Sequence, residues 1–318
     1  MSRRESGAGA SRGRAKERSD REASDAPKPK DGEARSKLPG GLYLVATPIG
    51  NAADITLRAL DILRRADFVA CEDTRLTGKL LARHGIRARL TPYHDHNADR
   101  ARPALLERLA RGESIALVSD AGTPLLSDPG YKLVKACRDS GLPVTAAPGP
   151  SAAVTALILS ALPTDRFLFA GFLPAKTAAR TKTLRELASA PATLVFYESP
   201  ARVADSLADM ANVLGDRPAA VARELTKLFE EIRRGTLGEL ARHYAATGAP
   251  KGELVVVIGP PLALPKPEAG DVDDRLREAL SQHSVRDAAA LIAAETGLPR
   301  RDIYARALAL ARGGKAGA

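Results

Sequence analysis

From Leu42 onward, short apolar runs alternate with amphipathic stretches. The apolar runs predict strands over 42–46, 68–71, 90–93, 115–118 and 144–147. The stretches that follow them predict helices over 57–65, 76–84, 101–109, 131–138 and 152–160. This alternation implies a mainly parallel sheet covered on both faces, with right-handed crossovers set by strand twist. Ser160-Ala161-Leu162-Pro163-Thr164-Asp165 forms a hinge into a second unit. There the pattern predicts strands over 167–172, 193–197, 219–222, 231–234 and 254–258, with helices over 178–188, 202–214 and 237–244. The second unit is again α/β, with more hairpin character.

The two ends of the chain differ from this body. Residues 1–37 contain almost no large apolar side chain, so they are expected to be a disordered basic tail. Such a tail fits non-specific attraction for RNA, and equally a passive solubilising role. The prolines at 260, 261, 265 and 267 predict a stiff linker over 262–271. Residues 272–312 are helical by pattern, with Val285, Ala289, Ile292 and Ala293 on one face and a turn at Gly297-Leu298-Pro299. A helix–turn–helix presenting Arg300, Arg301 and Arg306 fits this segment, as does a small helical cap or dimerisation element. The expected domains are therefore 38–160, 161–261 and a small helical domain over 272–318.

The loops at the strand ends carry the unusual chemistry. Ser119-Asp120-Ala121-Gly122-Thr123-Pro124-Leu125-Leu126-Ser127-Asp128-Pro129-Gly130 joins the fourth strand to a helix. Open α/β sheets bind ligands at such carboxyl ends. Its glycines permit special backbone conformations and its prolines stiffen the loop. Asp128-Pro129-Gly130 is expected to shape the turn and start the helix. Thr47-Pro48-Ile49-Gly50-Asn51 ends the first strand, and Ala147-Pro148-Gly149-Pro150-Ser151-Ala152 ends the fifth. Ser151 is a good helix N-cap. Loops at one edge of one sheet are able to converge on one ligand. No G-x-G-x-x-G or G-x-x-x-x-G-K-[ST] fingerprint occurs, so an ordinary dinucleotide or ATP site is not supported.

Composition narrows the class. The chain has 318 residues, 44% of them hydrophobic, which suits a globular protein with two real cores. No apolar run approaches the ~20 residues that span a bilayer. The N-terminus lacks the apolar region of a signal peptide, and seven acidic residues within 1–37 argue against a transit peptide. Cys71 and Cys137 give neither metal spacing nor a disulfide framework, which points to a reducing cytoplasm. The net charge of +10 suits an acidic partner such as nucleic acid, and equally an Arg-rich proteome.

Four further clusters are candidates for chemistry. Cys71-Glu72-Asp73-Thr74-Arg75 and Tyr197-Glu198-Ser199-Pro200-Ala201-Arg202 each follow a strand. In Tyr93-His94-Asp95-His96-Asn97 the imidazoles stand two apart and lack a third ligand at suitable spacing, so a substrate contact is expected there and no metal. Residues 223–231, Arg223 to Glu231, pack charges densely around a strand end beside the domain junction.

Seven segments taken in order resemble one family. They are VATPIGN (45–51), ACEDTR (70–75), YHDHN (93–97), LVSDAGTPLLSDPG (117–130), APGPSA (147–152), FYESPAR (196–202) and RELTKLFEE (223–231). Together they resemble the small-subunit ribosomal RNA ribose 2'-O-methyltransferases of the RsmI type, in the tetrapyrrole methylase-like (class III) superfamily. The resemblance runs from about residue 41 to 261, and the C-terminal helices look like that family's small helical domain.

The resemblance implies two α/β domains of the tetrapyrrole methylase type with S-adenosylmethionine (SAM) in the cleft between them. It implies methylation of a decoding-centre cytidine ribose in the 16S rRNA of the small subunit by a cytoplasmic homodimer. Carried over by motif, SAM would meet Pro48, Asp120, Ala121, Gly122, Thr123, Leu125, Ser151, Ala152, Tyr197 and Leu225. A base that takes the ribose hydroxyl proton is expected among Glu72, Asp73 and Glu224, with Glu198 a further candidate. Arg75, His94, His96 and Lys227 are the expected substrate contacts, the two cations holding phosphate or a forming alkoxide. Two rivals remain in view: a tetrapyrrole or corrin methyltransferase of the same superfamily, and a non-enzymatic, SAM-responsive nucleic-acid-binding protein.

Overall fold

The computed structural model describes residues 37–261, 269–296 and 298–313. The tail expected over 1–37, apart from Lys37, and most of the expected linker lie outside them. The first sheet holds β1 (Gly41–Val45), β2 (Phe68–Cys71), β3 (Leu90–Pro92), β4 (Ser114–Val118) and β5 (Val144–Ala147). All its pairings are parallel, in the order β3-β2-β4-β1-β5. The connecting helices are α1 (Leu57–Arg65), α2 (Thr74–Arg83), α3 (Ala98–Ala110), α4 (Tyr131–Asp139) and α5 (Ala152–Leu159).

Each helix forms where the pattern and a cap agree. Thr56 caps α1 by accepting from the Ala59 N–H, and α1 buries Ala59, Leu60, Ile62 and Leu63 against the sheet. Fully burying such a leucine or isoleucine contributes about 1.5–3 kcal/mol. Helices α1 and α2 pack on one face of the sheet, and α3 and α4 on the other. This division positions the site. The chain leaves β2 towards one face and β4 towards the opposite face, so the loops after these neighbouring strands diverge and leave a crevice.

The second sheet holds β6 (Phe167–Phe172), β7 (Thr193–Glu198), β8 (Pro218–Arg223), β9 (Glu231–Thr236) and β10 (Leu254–Ile258). Its order is β6-β7-β10-β8-β9, parallel at β6–β7 and antiparallel elsewhere. The buried central strand β10 reads Leu-Val-Val-Val-Ile, as a strand covered on both faces should. Helices α6 (Thr177–Leu187), α7 (Val203–Leu214) and α8 (Leu237–Thr247) cover one face.

The other face receives α5. Ala153, Ala156 and Leu157 pack with Val195, Ala222, Val255 and Val257, and Ile49 joins the same cluster. An α-helix that is apolar on all sides demands this burial. The helix that ends the first unit is thus seated on the sheet of the second. Arg234 of β9 holds its end by donating to the carbonyls of Leu159 and Ser160.

The C-terminal helices are α9 (Ala269–Gln282), α10 (Val285–Thr296) and α11 (Arg300–Gly313). They enclose a separate small core of Val272, Leu276, Ala288, Ala289, Ile292, Ile303 and Ala307. The first of them begins at Ala269, inside the expected linker. Arg306, on the final helix as expected, is tied to Asp273 at 3.0 Å. Among the described residues, no helix is long and apolar enough to cross a membrane.

Candidate active site

Three loops leave the carboxyl edge of the first sheet and are stitched to one another. The Thr47 N–H donates to the Gly122 carbonyl at 2.9 Å, and the Gly122 N–H returns a bond to the Thr47 carbonyl at 3.0 Å. The Thr47 hydroxyl donates to the Ser119 carbonyl at 3.1 Å, and the Thr123 hydroxyl donates to the Pro150 carbonyl at 3.0 Å. Gly122 has φ +81°. At Gly149 a Cβ would lie 2.9 Å from the Ala46 Cβ. These two positions require glycine, one for conformation and one for space.

The second unit closes over this platform. The Asn51 N–H donates to the Thr226 hydroxyl at 3.0 Å. A Cβ on Gly50 would meet Lys227 at 2.5 Å, so only glycine admits the 224–230 loop this closely. The resulting cleft has a volume of about 390 Å³. Ile49, Asp120, Ala121, Gly122, Thr123, Leu126, Asp128 and Ala152 line it from the first unit. Phe172, Tyr197, Leu225, Glu253 and Val255 line it from the second. The Tyr197 ring is held edge-on by Phe169, at 4.8 Å between centroids.

Of the residues expected to hold SAM, Asp120, Ala121, Gly122, Thr123, Ala152, Tyr197 and Leu225 therefore lie on the cleft wall. Three others sit elsewhere. Pro48 lies in the first turn, where its neighbour Ile49 takes the wall position. Leu125 has φ +74° and packs against the core beneath the sheet, leaving Leu126 on the wall. Ser151 occupies the N-cap position of α5, but its side chain makes no capping bond. Instead the Ser151 hydroxyl is buried without any partner. The expected use of Ser151 as a cap is thus corrected: its carbonyl starts the helix by accepting from the Thr155 N–H, while its hydroxyl caps nothing.

These walls fit SAM. A buried hydroxyl without a partner costs free energy unless something bonds to it, and Ser151 adjoins the wall residue Ala152. Ile49, Leu225 and Val255 offer apolar surface to a flat ring, and the 120–123 backbone offers polar groups.

The carboxylates differ sharply in their engagements. Asp73 caps α2 by accepting from the Arg75 N–H and also binds the Arg75 guanidinium at 2.9 Å. The hydrogen bonds from Arg75 hold its carboxyl down at about 2, which makes it a weak proton acceptor. Glu224 accepts from the Lys227 ammonium at 2.8 Å, and that bond lowers its pKa. Glu198 has a fully buried side chain that accepts from Ser206, from the Ser199 N–H and from Arg202. Glu72 is not among the lining residues, and burial and then the charges of Asp120 and Asp95 raise its pKa.

Asp128-Pro129-Gly130 leads into α4 as expected, and Asp128 has a second place, on the cleft wall. Gly130 occupies the N-cap of α4 without a side-chain cap, and the Asp128 side chain lines the cleft. Burial, followed by the charges of Glu72 and Asp120, pushes its carboxyl up to about 6. In the sequence, Asp-Pro-Gly reads as a turn, and nothing local signals the wall that buries it.

The expected substrate contacts Arg75, His94, His96 and Lys227 are not among the residues that line the cleft. Arg75 is spread in solvent with its side chain 86% exposed. Lys227 bridges Glu224 and Glu253 at 2.8 and 3.1 Å. Partial burial works against its charge, but the two carboxylates outweigh it and raise its pKa. The His94 and His96 rings meet edge-to-face at 6.1 Å, and His94 Nδ1 is buried without a partner. Among the described residues, no group of three His, Cys, Asp or Glu side chains could hold a metal ion.

Comparison with known proteins places this geometry in a family. Residues 41–241 match the family model of tetrapyrrole (corrin/porphyrin) methylases, and residues 266–311 match that of the RsmI C-terminal HTH domain. The chain is 54% identical to the ribosomal RNA small subunit methyltransferase I of Mesorhizobium japonicum, over 86% of this chain and 93% of that one. It is 46% identical to the Escherichia coli O157:H7 protein of the same name, over 85% of this chain and 95% of that one. Among solved structures, a diphthine synthase superposes with a TM-score of 0.55 at 17% identity, covering 69% of this chain and 89% of that one. A cobalt precorrin-4 methyltransferase superposes with a TM-score of 0.51 at 19% identity, covering 69% of this chain and 94% of that one. These two likenesses concern the fold alone. The chain belongs to the tetrapyrrole methylase superfamily and, within it, to the ribosomal RNA small subunit methyltransferase I family.

Proposed function

We propose that this protein is a SAM-dependent methyltransferase that methylates the 2'-hydroxyl of a cytidine ribose in the 16S rRNA of the small ribosomal subunit. The observation that carries the reading is the composite cleft. Stitched backbone loops of one sheet face an aromatic and aliphatic wall of the other, in a chain closely related along most of its length to rRNA methyltransferases. A tetrapyrrole substrate would leave the separate C-terminal helical core without a role.

When bound, SAM supplies a methyl group already activated by its sulfonium. The protein's contribution is then orientation and proton handling. The unpartnered Ser151 hydroxyl and the 120–123 backbone would hold the polar ends of the donor. Ile49, Leu225 and Val255 would hold its flat portion and exclude water. The attacking hydroxyl must lie in line with the methyl carbon and the sulfur, and it must lose its proton. Arg75, largely exposed, and Lys227, paired with the cleft residue Glu253, would hold backbone phosphate. Single-stranded or locally opened RNA presents 2'-hydroxyls and bases to such a site.

The reading extends to a homodimer acting in the cytoplasm. Val154 and Ile158 on α5 and Phe167 on β6 are large apolar side chains left exposed, as a self-association surface would require. The test is transfer of labelled methyl from SAM to purified small subunits, followed by nucleoside analysis. Label in a 2'-O-methylcytidine supports the reading. Label confined to a corrin or porphyrin, or SAM bound without transfer, overturns it.

A further inference from the structure

We infer that Asp128 is the general base that takes the proton from the attacking hydroxyl. The inference rests on the reading of the cleft as a site of methyl transfer to a ribose hydroxyl.

Geometry selects Asp128 by what the other carboxylates are doing. Four carboxylates line the cleft: Asp120, Asp128, Glu198 and Glu253. Glu198 is consumed by Ser206, the Ser199 N–H and Arg202. Glu253 is largely exposed and paired with Lys227. Asp120 accepts from the Asp73 N–H at 3.0 Å, which fixes the loop after β2 to the loop after β4. Asp128 alone of the four combines partial burial with freedom from any ion pair or backbone cap, its engagement being a hydrogen bond from the neutral Ser119 hydroxyl. Outside the wall, Asp73 and Glu224 are each bound to a cation.

The backbone also holds Asp128 in place. Leu125 and Ser127, neither of them glycine, adopt φ +74° and +66°. Such conformations persist only where the surroundings over-determine them, and they cluster at functional sites. Here the determinants are visible. Gly130 packs so tightly that a Cβ would lie 2.9 Å from Leu117 and 3.0 Å from Leu125. Across the cleft, a Cβ on Gly171 would lie 3.0 Å from the Ser127 hydroxyl. The 125–130 segment is therefore clamped between its own sheet and the β6 bulge of the second unit. Asp128 lines the cleft from this segment, within electrostatic reach of Glu72 in the loop after β2.

The charged and titratable groups around Asp128 come from every neighbouring element. Glu72 follows β2, Asp95 follows β3, Asp120 follows β4, and Tyr197 lies on β7. Burial first, then the charges of Glu72 and Asp120, raise its carboxyl to about 6 against a Ser119 hydrogen bond that lowers it, which suits a base for a hydroxyl. Glu72 acts through Asp128 as a positioning residue. In the reaction the hydroxyl oxygen forms its bond to the methyl carbon while the carbon–sulfur bond breaks and its electron pair returns to sulfur. The hydroxyl proton passes to the Asp128 carboxylate, which releases it to solvent. The products are the methyl ether and a neutral thioether.

The test compares wild type, Asp128→Asn, Asp128→Glu and Glu72→Gln as full-length chains. Three readouts are transfer to small subunits across pH 5–9, SAM affinity by calorimetry, and a carbon-13 titration of aspartate carboxyls. Loss of a positioned base lowers rate by about 100- to 10,000-fold. Asp128→Asn should show such a loss with SAM affinity within about threefold of wild type. In the wild type the rate should rise with pH through a limb near 6, and one carboxyl titrating there should vanish from the Asn spectrum. Glu72→Gln should move that limb to lower pH. Asp128→Glu should retain a pH limb and more activity than Asn, which decides the matter should the Asn variant fold poorly. Asp128→Asn working at the wild-type rate, or keeping the limb, overturns the assignment. Failure of the wild type to methylate subunits would instead overturn the parent reading, while the titration would still read Asp128.

Discussion

Thr47 and Gly122 exchange backbone hydrogen bonds in both directions, at 2.9 and 3.0 Å, and so join the loop after β1 to the loop after β4. This bridge is the frame of the cleft. It sets the 120–123 backbone against Ile49 and holds open the space that the second unit covers.

Replacing Gly122 should therefore damage stability and binding together. Its φ of +81° suits glycine, and a Cβ would approach Ile49 at 3.3 Å. A left-handed conformation costs other residues about 1–2 kcal/mol. Gly122→Val should lower the melting temperature by about 2–8 °C, and SAM affinity should fall with it. Thermal melts and calorimetry check both. Gly122→Ala should show the same effects more weakly.

Ser151→Ala should separate the two properties. The hydroxyl is buried without a partner, so the free protein loses no hydrogen bond with it. The melting temperature should stay level or rise slightly. SAM affinity should fall about two- to tenfold, the worth of one hydrogen bond. A clear loss of stability would mean that the hydroxyl serves the fold.

The raised Asp128 carboxyl carries a sign for stability. Between the ordinary value of 3.8 and the folded value of about 6, the folded protein holds a proton that the unfolded chain has released. Stability is thus lost as pH rises through that window. Asp128→Asn stays neutral, so it should be more heat-resistant than wild type above pH 6. The gain should fade towards pH 4. Melting curves at several pH values measure this without any substrate.

The C-terminal helices form their own core, so removing residues 262–318 should leave the cleft intact. SAM affinity and the melting of the body should persist in a chain ending at Pro261. Transfer to small subunits should fall, and its salt dependence should flatten as phosphate contacts are lost. Unchanged transfer by the shortened chain would assign those helices to another task.

Much of this was legible in the residue pattern. Strands such as Phe68–Cys71 and Leu254–Ile258 lie where the apolar runs placed them, because burial on both faces leaves a continuous apolar signal. Helix starts were less visible. Helix α2 begins at Thr74 because Asp73 caps it, and α3 begins at Ala98, within a polar stretch that hides the first turn. The strand-end loops were recognisable as a site from their Gly and Pro content. The roles of single residues within them were not. Which of Leu125 and Leu126 faces the cleft depends on a positive φ. The environment of Asp128 depends on its burial and on Glu72 and Asp95, brought in from the loops after β2 and β3, beside Asp120 of its own loop.

The most direct measurement of the central claim is the position of labelled methyl after incubation of the full-length protein with SAM and small ribosomal subunits. The account predicts label in a single 2'-O-methylcytidine of 16S rRNA, abolished by competing S-adenosylhomocysteine. Label on a base, label on a tetrapyrrole alone, or SAM bound with no methyl transferred would contradict it.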